Sequence, residues 1–186
     1  LTIFCQGGRI ALPRGQGRLL ASLEGSVVEV TPPTNGGVFH PKVWALRYVP
    51  QDPELPVHYK LLVLSRNLTF DRSWDTMLVL EGELQDRVKA IARNHPVGDL
   101  VKSLPDMALR PVDEVVAARV SRLEHELRRV DFLSDLPPGI TDVAFHALGL
   151  PGAPKRHPDL FRGRMPVRRV SGAGSHSDPS DGHTRR

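Results

Sequence analysis

Within VFHPKVWALRYV (residues 38–49), His40 and Lys42 stand two residues apart across a proline. Side chains alternate faces along a strand, so an extended segment here turns an imidazole and an ammonium to the same side. Two ionisable groups on a half-buried strand carry a desolvation cost that a bound anion would offset. The next extended segment, VHYKLLVLS (57–65), runs into SRNLT, where Ser65 and Asn67 again share a parity. A hairpin joining the two segments is expected to bring His40, Lys42, Ser65 and Asn67 to one end of a sheet. Lysine is a point charge, while the hydroxyl and amide are directional donors; the set suits an oxyanion, phosphate above all. A neutral imidazole nitrogen can attack phosphorus and form a covalent phosphohistidine. That chemistry calls for no metal and no cofactor. His58 and Lys60 form a second His-x-Lys pair. Strand parity groups them with Leu62 and Leu64, opposite Ser65 and Asn67, and so favours His40.

The elements that must position these residues are legible in outline. LTIFC (1–5) reads as a buried strand, CQGGRIALPRGQGR as a glycine-rich loop without the Gly-Lys-Ser/Thr ending of a phosphate loop, and GRLLASLEG as a short helix. SVVEV is a strand stopped by Pro32-Pro33. Residues 38–49, 57–65 and 75–82 are three β-rich runs with short connections, which favours antiparallel pairing. Leu84, Val88, Ile91 and Ala92 fall at helical spacing, with a break expected near Pro96-Val97-Gly98 and a resumption at DLVKSL. A helix over 111–130 has a stripe of Val112, Val115, Val116, Val120, Leu123, Leu127 and Val130, and Pro111 suits its first turn. Arg119, Arg122, Glu124, Glu126 and Arg128 read as its solvated face. ITDVAFHALGL (140–150) is expected to add a last strand.

Composition sets the limits. Of 186 residues, 40% are hydrophobic and 25% charged, as in a folded domain with a core. No apolar run reaches the roughly 18–20 residues of a membrane-crossing helix. A single cysteine, Cys5, excludes an intramolecular disulfide and a multi-cysteine zinc site, and a reducing cytoplasm fits. The basic pI of about 9.6 is unevenly placed. Residues 1–150 hold 17 Lys/Arg against 18 Asp/Glu, and residues 151–186 hold eight against three. Residues 171–186 contain one apolar residue, Ala173, too little to offset the entropy of ordering, so 151–186 is expected to be a disordered basic tail.

FHPKVWALRY followed by KLLVLSRNLTFDRSWDTMLVLEG resembles one half of the phospholipase D-like (HKD) superfamily, whose motif is His-x-Lys followed by a small-residue turn and asparagine. The wording is similar to the tyrosyl-DNA phosphodiesterase-like and bacterial phospholipase D-like branch, with 26 residues between His40 and Asn67. The motif-bearing stretch is 36–82, followed by helices over 83–130, and the looser resemblance covers 1–150. It implies an α/β half-domain with a mixed β-sheet flanked by helices. His40 would be nucleophile or general acid, Lys42 and Asn67 would hold phosphate, Ser65 would stand in the small-residue turn, and Asp75 would orient. Arg47 stands where the lipase-type motif has aspartate, and Leu64-Ser65 where it has Gly-Gly or Gly-Ser. The implied substrate is a phosphodiester, in DNA or RNA rather than lipid. The family mechanism needs two such motifs. A homodimer, or a second half lost by truncation or frameshift after Arg164, is the expected source. The competing expectation is a catalytically incomplete half-domain that serves in binding or assembly.

Overall fold

The computed structural model describes residues 1–9, 23, 25–32, 34, 36–67, 72–133, 136 and 138–150. The expected helix at GRLLASLEG falls almost wholly, and the expected tail at 151–186 entirely, outside them. Ile3–Gln6 (β1) and Val27–Val30 (β2) form a two-stranded parallel sheet. Val43–Tyr48 (β3), His58–Leu64 (β4) and Met77–Leu84 (β5) run antiparallel in sequence order, and Val130–Asp131 (β6) adds beyond β5. The α-helices His95–Ser103 (α1) and Glu114–Leu127 (α2) join these strands in a fold that mixes strands and helices, as an α/β reading expects. Among the described residues the parallel and antiparallel pairings lie in separate sheets, not in one mixed sheet.

The core follows from strand parity. Ala45 pairs with Leu61, Arg47 with Tyr59, Leu61 with Leu80 and Tyr59 with Gly82, so these residues share one face of the four-stranded sheet. That face packs with Val97 and Val101 of α1, Val120 and Leu127 of α2, and Val130 and Phe132 beyond it. Tyr59, Leu80 and Leu127 have no exposed surface. Each large apolar side chain buried in this way contributes about 1.5–3 kcal/mol. Gly82 is required where β6 crosses β5, because a Cβ there would overlap the carbonyl of Asp131. Gly98 sits inside α1, where a Cβ would meet the Arg128 guanidinium at 2.6–2.7 Å.

Several elements depart from the sequence reading. Leu84 ends β5 and does not open a helix, and residues 85–91 are irregular. Pro96, read as a breaker, sits in the first turn of α1, where its missing N–H is no loss. Pro111 lies before α2, and Asp113 caps that helix by accepting from Val116 N at 2.7 Å. Val115 is 66% exposed, so the apolar stripe is narrower than the pattern implied. Ile140–Leu150 forms no strand, although Val143 and Phe145 still turn into the core and Phe145 meets Phe132 edge-on at 6.2 Å. β3 begins at Val43, leaving His40 and Lys42 just outside it. Among the described residues no helix is long and apolar enough to cross a membrane.

Candidate functional site

The backbone leading to His40 is tied to the small sheet. Gln6, the last residue of β1, accepts from Phe39 N through Oε1 at 3.0 Å. Pro41 follows His40 and favours extended backbone before it. The carbonyl of Lys42 then accepts from Leu64 N at 2.9 Å, which carries the β3–β4 pairing one step past the assigned strand. His40 is exposed, and the Lys42 ammonium leans against its ring, 3.0 Å from Nδ1 and 2.8 Å from Nε2. A contact at 3.4 Å to the His40 carbonyl completes the turn of the lysine back onto its neighbour. The structure thus brings the first two predicted residues together at the open end of the hairpin.

Ser65 and Asp75 form a second pair. Ser65 Oγ donates to Asp75 Oδ1 and accepts from Thr76 N at 3.0 Å. Asp75 is thus bonded to Ser65 and not to His40. Asn67 is exposed. Among the described residues no hydrogen bond or ion pair joins His40 or Lys42 to Ser65, Asn67 or Asp75. The register gives the reason. Lys42 opposes Leu64 and shares its face, whereas Ser65 is bonded through its N–H to the Thr76 carbonyl in the other direction. Convergence of all four groups would need the ends of the hairpin to turn toward each other when a ligand is present.

The same register corrects the argument against His58 and Lys60. Tyr48 opposes His58, Leu46 opposes Lys60 and Trp44 opposes Leu62. Lys42, opposite Leu64, falls on that same face. Both His-x-Lys pairs therefore belong to one side of the sheet, and parity does not separate them. His58 Nε2 lies 3.1 Å from Glu81 Oε2, and Lys60 Nζ lies 2.8 Å from Glu81 Oε1. Lys60 first, then His58, hold the Glu81 carboxyl below the usual range, and Glu81 raises Lys60 in return.

The other side of the sheet holds a polar group that the sequence reading assigned to solvent. Glu126 accepts from Arg47 Nε at 2.7 Å and Nη2 at 3.1 Å, and from the Tyr59 hydroxyl at 2.6 Å. Burial raises the Glu126 carboxyl, but the bonds from Arg47 and Tyr59 outweigh it and leave the net shift downward. Burial, and then Glu126, push the Tyr59 hydroxyl well up. Glu124 and Arg128 are likewise paired, at 2.5 Å, and Arg128 reaches Asp99 at 2.8 Å. The signal for Glu126 was its place between Leu123 and Leu127, at the border of the apolar stripe, with Arg47 at inward parity on β3. Arg47 accordingly points away from His40 and Lys42. An open cleft of about 400 Å³ borders Asp86, Arg87, His125 and Arg129, and none of the predicted site residues lines it. No three His, Cys, Asp or Glu side chains converge as a metal site would require, among the described residues.

Comparison of the chain with family models, curated proteins and solved structures returns no match.

Proposed function

We propose that the chain is a phospholipase D-like half-domain whose His40 acts as the nucleophile of a phosphodiesterase, with nucleic acid as its substrate. The observation that carries this reading is the exposed contact between Lys42 and the His40 ring. A phosphodiester drawn to the ammonium would take Lys42 off the imidazole and free a ring nitrogen beside phosphorus. The ring nitrogen then forms the N–P bond as the leaving oxygen departs, giving a phosphohistidine. Asn67 supplies a neutral donor from the neighbouring turn, and Lys42 stays on the non-bridging oxygens. No step in this sequence calls on a metal.

The test is a single-turnover reaction on a labelled single-stranded oligonucleotide, with acid-labile phosphoenzyme as the readout. His40→Ala should abolish both turnover and the trapped intermediate. Lys42→Ala should reduce turnover by about 10²-fold or more, as loss of a charge stabiliser in a displacement does. Chelators should leave the rate unchanged. Activity that survives His40→Ala sinks the proposal.

The separation of His40 and Lys42 from Ser65 and Asn67 favours a second reading, a half-domain that binds or assembles without turnover. Oligonucleotide binding by the wild type, lost in Lys42→Ala and unaccompanied by phosphoenzyme, would select that reading.

A further inference from the structure

Tryptophan is highly buried on average, because so much apolar surface is costly to leave in water. Both tryptophans of this chain are exposed, and both lie toward the end of the hairpin that holds His40 and Lys42. Trp74, 99% exposed, precedes Asp75, whose carboxylate receives Ser65 Oγ. Trp44 stands two residues past Lys42 in β3 and on the same open face of the sheet. Tyr48, also exposed, continues that row at the far end of the strand. The row thus runs Lys42, Trp44, Leu46, Tyr48, with Trp44 about 7 Å and Tyr48 about 20 Å along the strand from the lysine.

The rows behind β3 decide what this face can take. On β4 the face shows Leu62, Lys60 and His58, and on β5 it shows Val79, Glu81 and Glu83. Glu81 is engaged by Lys60 and His58. The carboxylates therefore stand two strand spacings, roughly 10 Å, behind β3, whose own row offers a cation and two aromatic rings. That asymmetry directs a polyanion along β3. Aromatic rings beside cations suit a nucleic acid strand, because bases stack on the rings while the cations hold phosphates. The His58 ring at 6.3 Å and the Lys60 ammonium at 6.0 Å flank the Tyr48 ring from the β4 side, which puts a second cation within reach of the backbone. A lipid surface would also meet exposed rings. It calls for a continuous apolar face, however, and His58, Lys60 and Glu81 interrupt this one.

We propose that the open face of β3 is a stacking platform for single-stranded nucleic acid, with bases on Trp44 and Tyr48 and the scissile phosphodiester at His40 and Lys42. Where the strand is cut rests on the phosphodiesterase reading of His40; the platform itself rests on the row along β3. Stacking uses the face of a base and not its edge, so the platform accepts any sequence. It rejects a duplex, whose base faces are already covered by one another. The 20 Å from Lys42 to Tyr48 spans about six nucleotides at the ~3.4 Å spacing of a stacked strand, and fewer if the strand is extended. The nucleotides it needs lie to one side of the cut. Trp44 and Tyr48 are remote from phosphorus and hold ground state and transition state alike, so they govern KM and not kcat.

Binding of oligothymidylates to the whole chain, read by tryptophan fluorescence, tests this. Trp74→Phe leaves Trp44 as the single tryptophan, and oligothymidylate should quench its emission. Affinity should rise steeply up to about six nucleotides and only slowly beyond, and a blunt duplex should bind at least about tenfold more weakly than a single strand of the same length. Trp44→Ala and Tyr48→Ala should each weaken binding by about 5- to 100-fold without changing its salt dependence, whereas Lys42→Ala should lower the salt slope by about 0.7. In turnover the two aromatic variants should raise KM and leave kcat unchanged. Affinity that does not depend on length, equal binding of single strand and duplex, or full binding by both aromatic variants overturns the platform. The length series uses the wild type, so it decides even where a variant fails to fold. A blue shift of Trp44 on phosphatidylglycerol vesicles without quenching by oligothymidylate would make the face a membrane contact, and self-association abolished by Trp44→Ala would give it to a second copy; either result also overturns the platform. Quenching without any phosphoenzyme keeps the platform and removes the phosphodiesterase reading. Phosphoenzyme formation indifferent to Trp44 and Tyr48 keeps that reading and removes the platform.

Discussion

The two faces of the four-stranded sheet are written in the same strands, one residue out of phase, and their environments are opposite. On one face Tyr59, Leu61 and Leu80 are sealed beneath α1 and α2, and the charged group there, Glu126, is held by three donors. On the other, Trp44, Tyr48 and Met77 are 43%, 47% and 55% exposed, and the side chains of His58, Lys60 and Glu81 meet one another in water. The first face uses polar groups to fix the packing of α2 on the sheet. The second leaves both His-x-Lys pairs accessible. Burial and chemistry are thus divided by strand parity, and a one-residue slip of register would exchange them.

The largest expected effects lie on the closed face. Leu61→Ala should cost about 2–5 kcal/mol, the range for emptying a packed aliphatic site. Leu62→Ala, its neighbour on the open face, should cost well under half of that, because Leu62 keeps contact with water. Urea unfolding of the two variants measures the difference directly. Equal losses would mean that the open face is covered by something, and the division between the faces would fail.

Glu126→Gln comes next. It keeps the shape of the side chain and removes the charge that Arg47 and Tyr59 address. The cost should be about 2 kcal/mol, below the ~3–5 of a fully buried pair because Arg47 still reaches solvent. The carboxyl is depressed in the folded state, so its stabilisation is present above the unfolded carboxylate value, about 4.3, and is lost as pH falls through the lower folded value. The gap between wild type and Glu126→Gln should therefore be constant from pH 7 to about 5 and close in more acid solution. A gap that widens on acidification would show that the charge of Glu126 is a liability.

How much of this could be read from the residues depended on the range of the interaction. The hairpins were legible because alternation and turn residues are local signals: β2, β3 and β4 lie within segments read as strands, and β1 and β5 start in such segments and run past them by one and two residues. The start of α1 was misread because Pro96 breaks a helix interior but suits a first turn, and only the tertiary path decides which applies. β6 is two residues long, and Gly82 on β5, which admits it, looks in sequence like any turn glycine. Glu126 read as solvated because its partners are 79 and 67 residues away. The site shows the same limit. His40 beside Lys42 follows from spacing alone, whereas the face on which each histidine lies required the register of β3 on β4.

The sharpest test of the division is also the smallest effect. Glu81→Gln makes on the open face the same chemical change that Glu126→Gln makes on the closed one. Glu81 bridges Lys60 at 2.8 Å and His58 at 3.1 Å, so by contact distances it is nearly as well partnered as Glu126. If partner distance alone set the energy, the two substitutions would cost the same. They should not, because water screens an exposed pair and holding two long side chains together costs entropy that the weak attraction barely offsets. The urea midpoint of Glu81→Gln at neutral pH should match that of wild type, and 1 M salt should leave the comparison unchanged, since no attraction of consequence remains to be screened. A loss comparable to that of Glu126→Gln would mean that Glu81 is shielded from water on the open face.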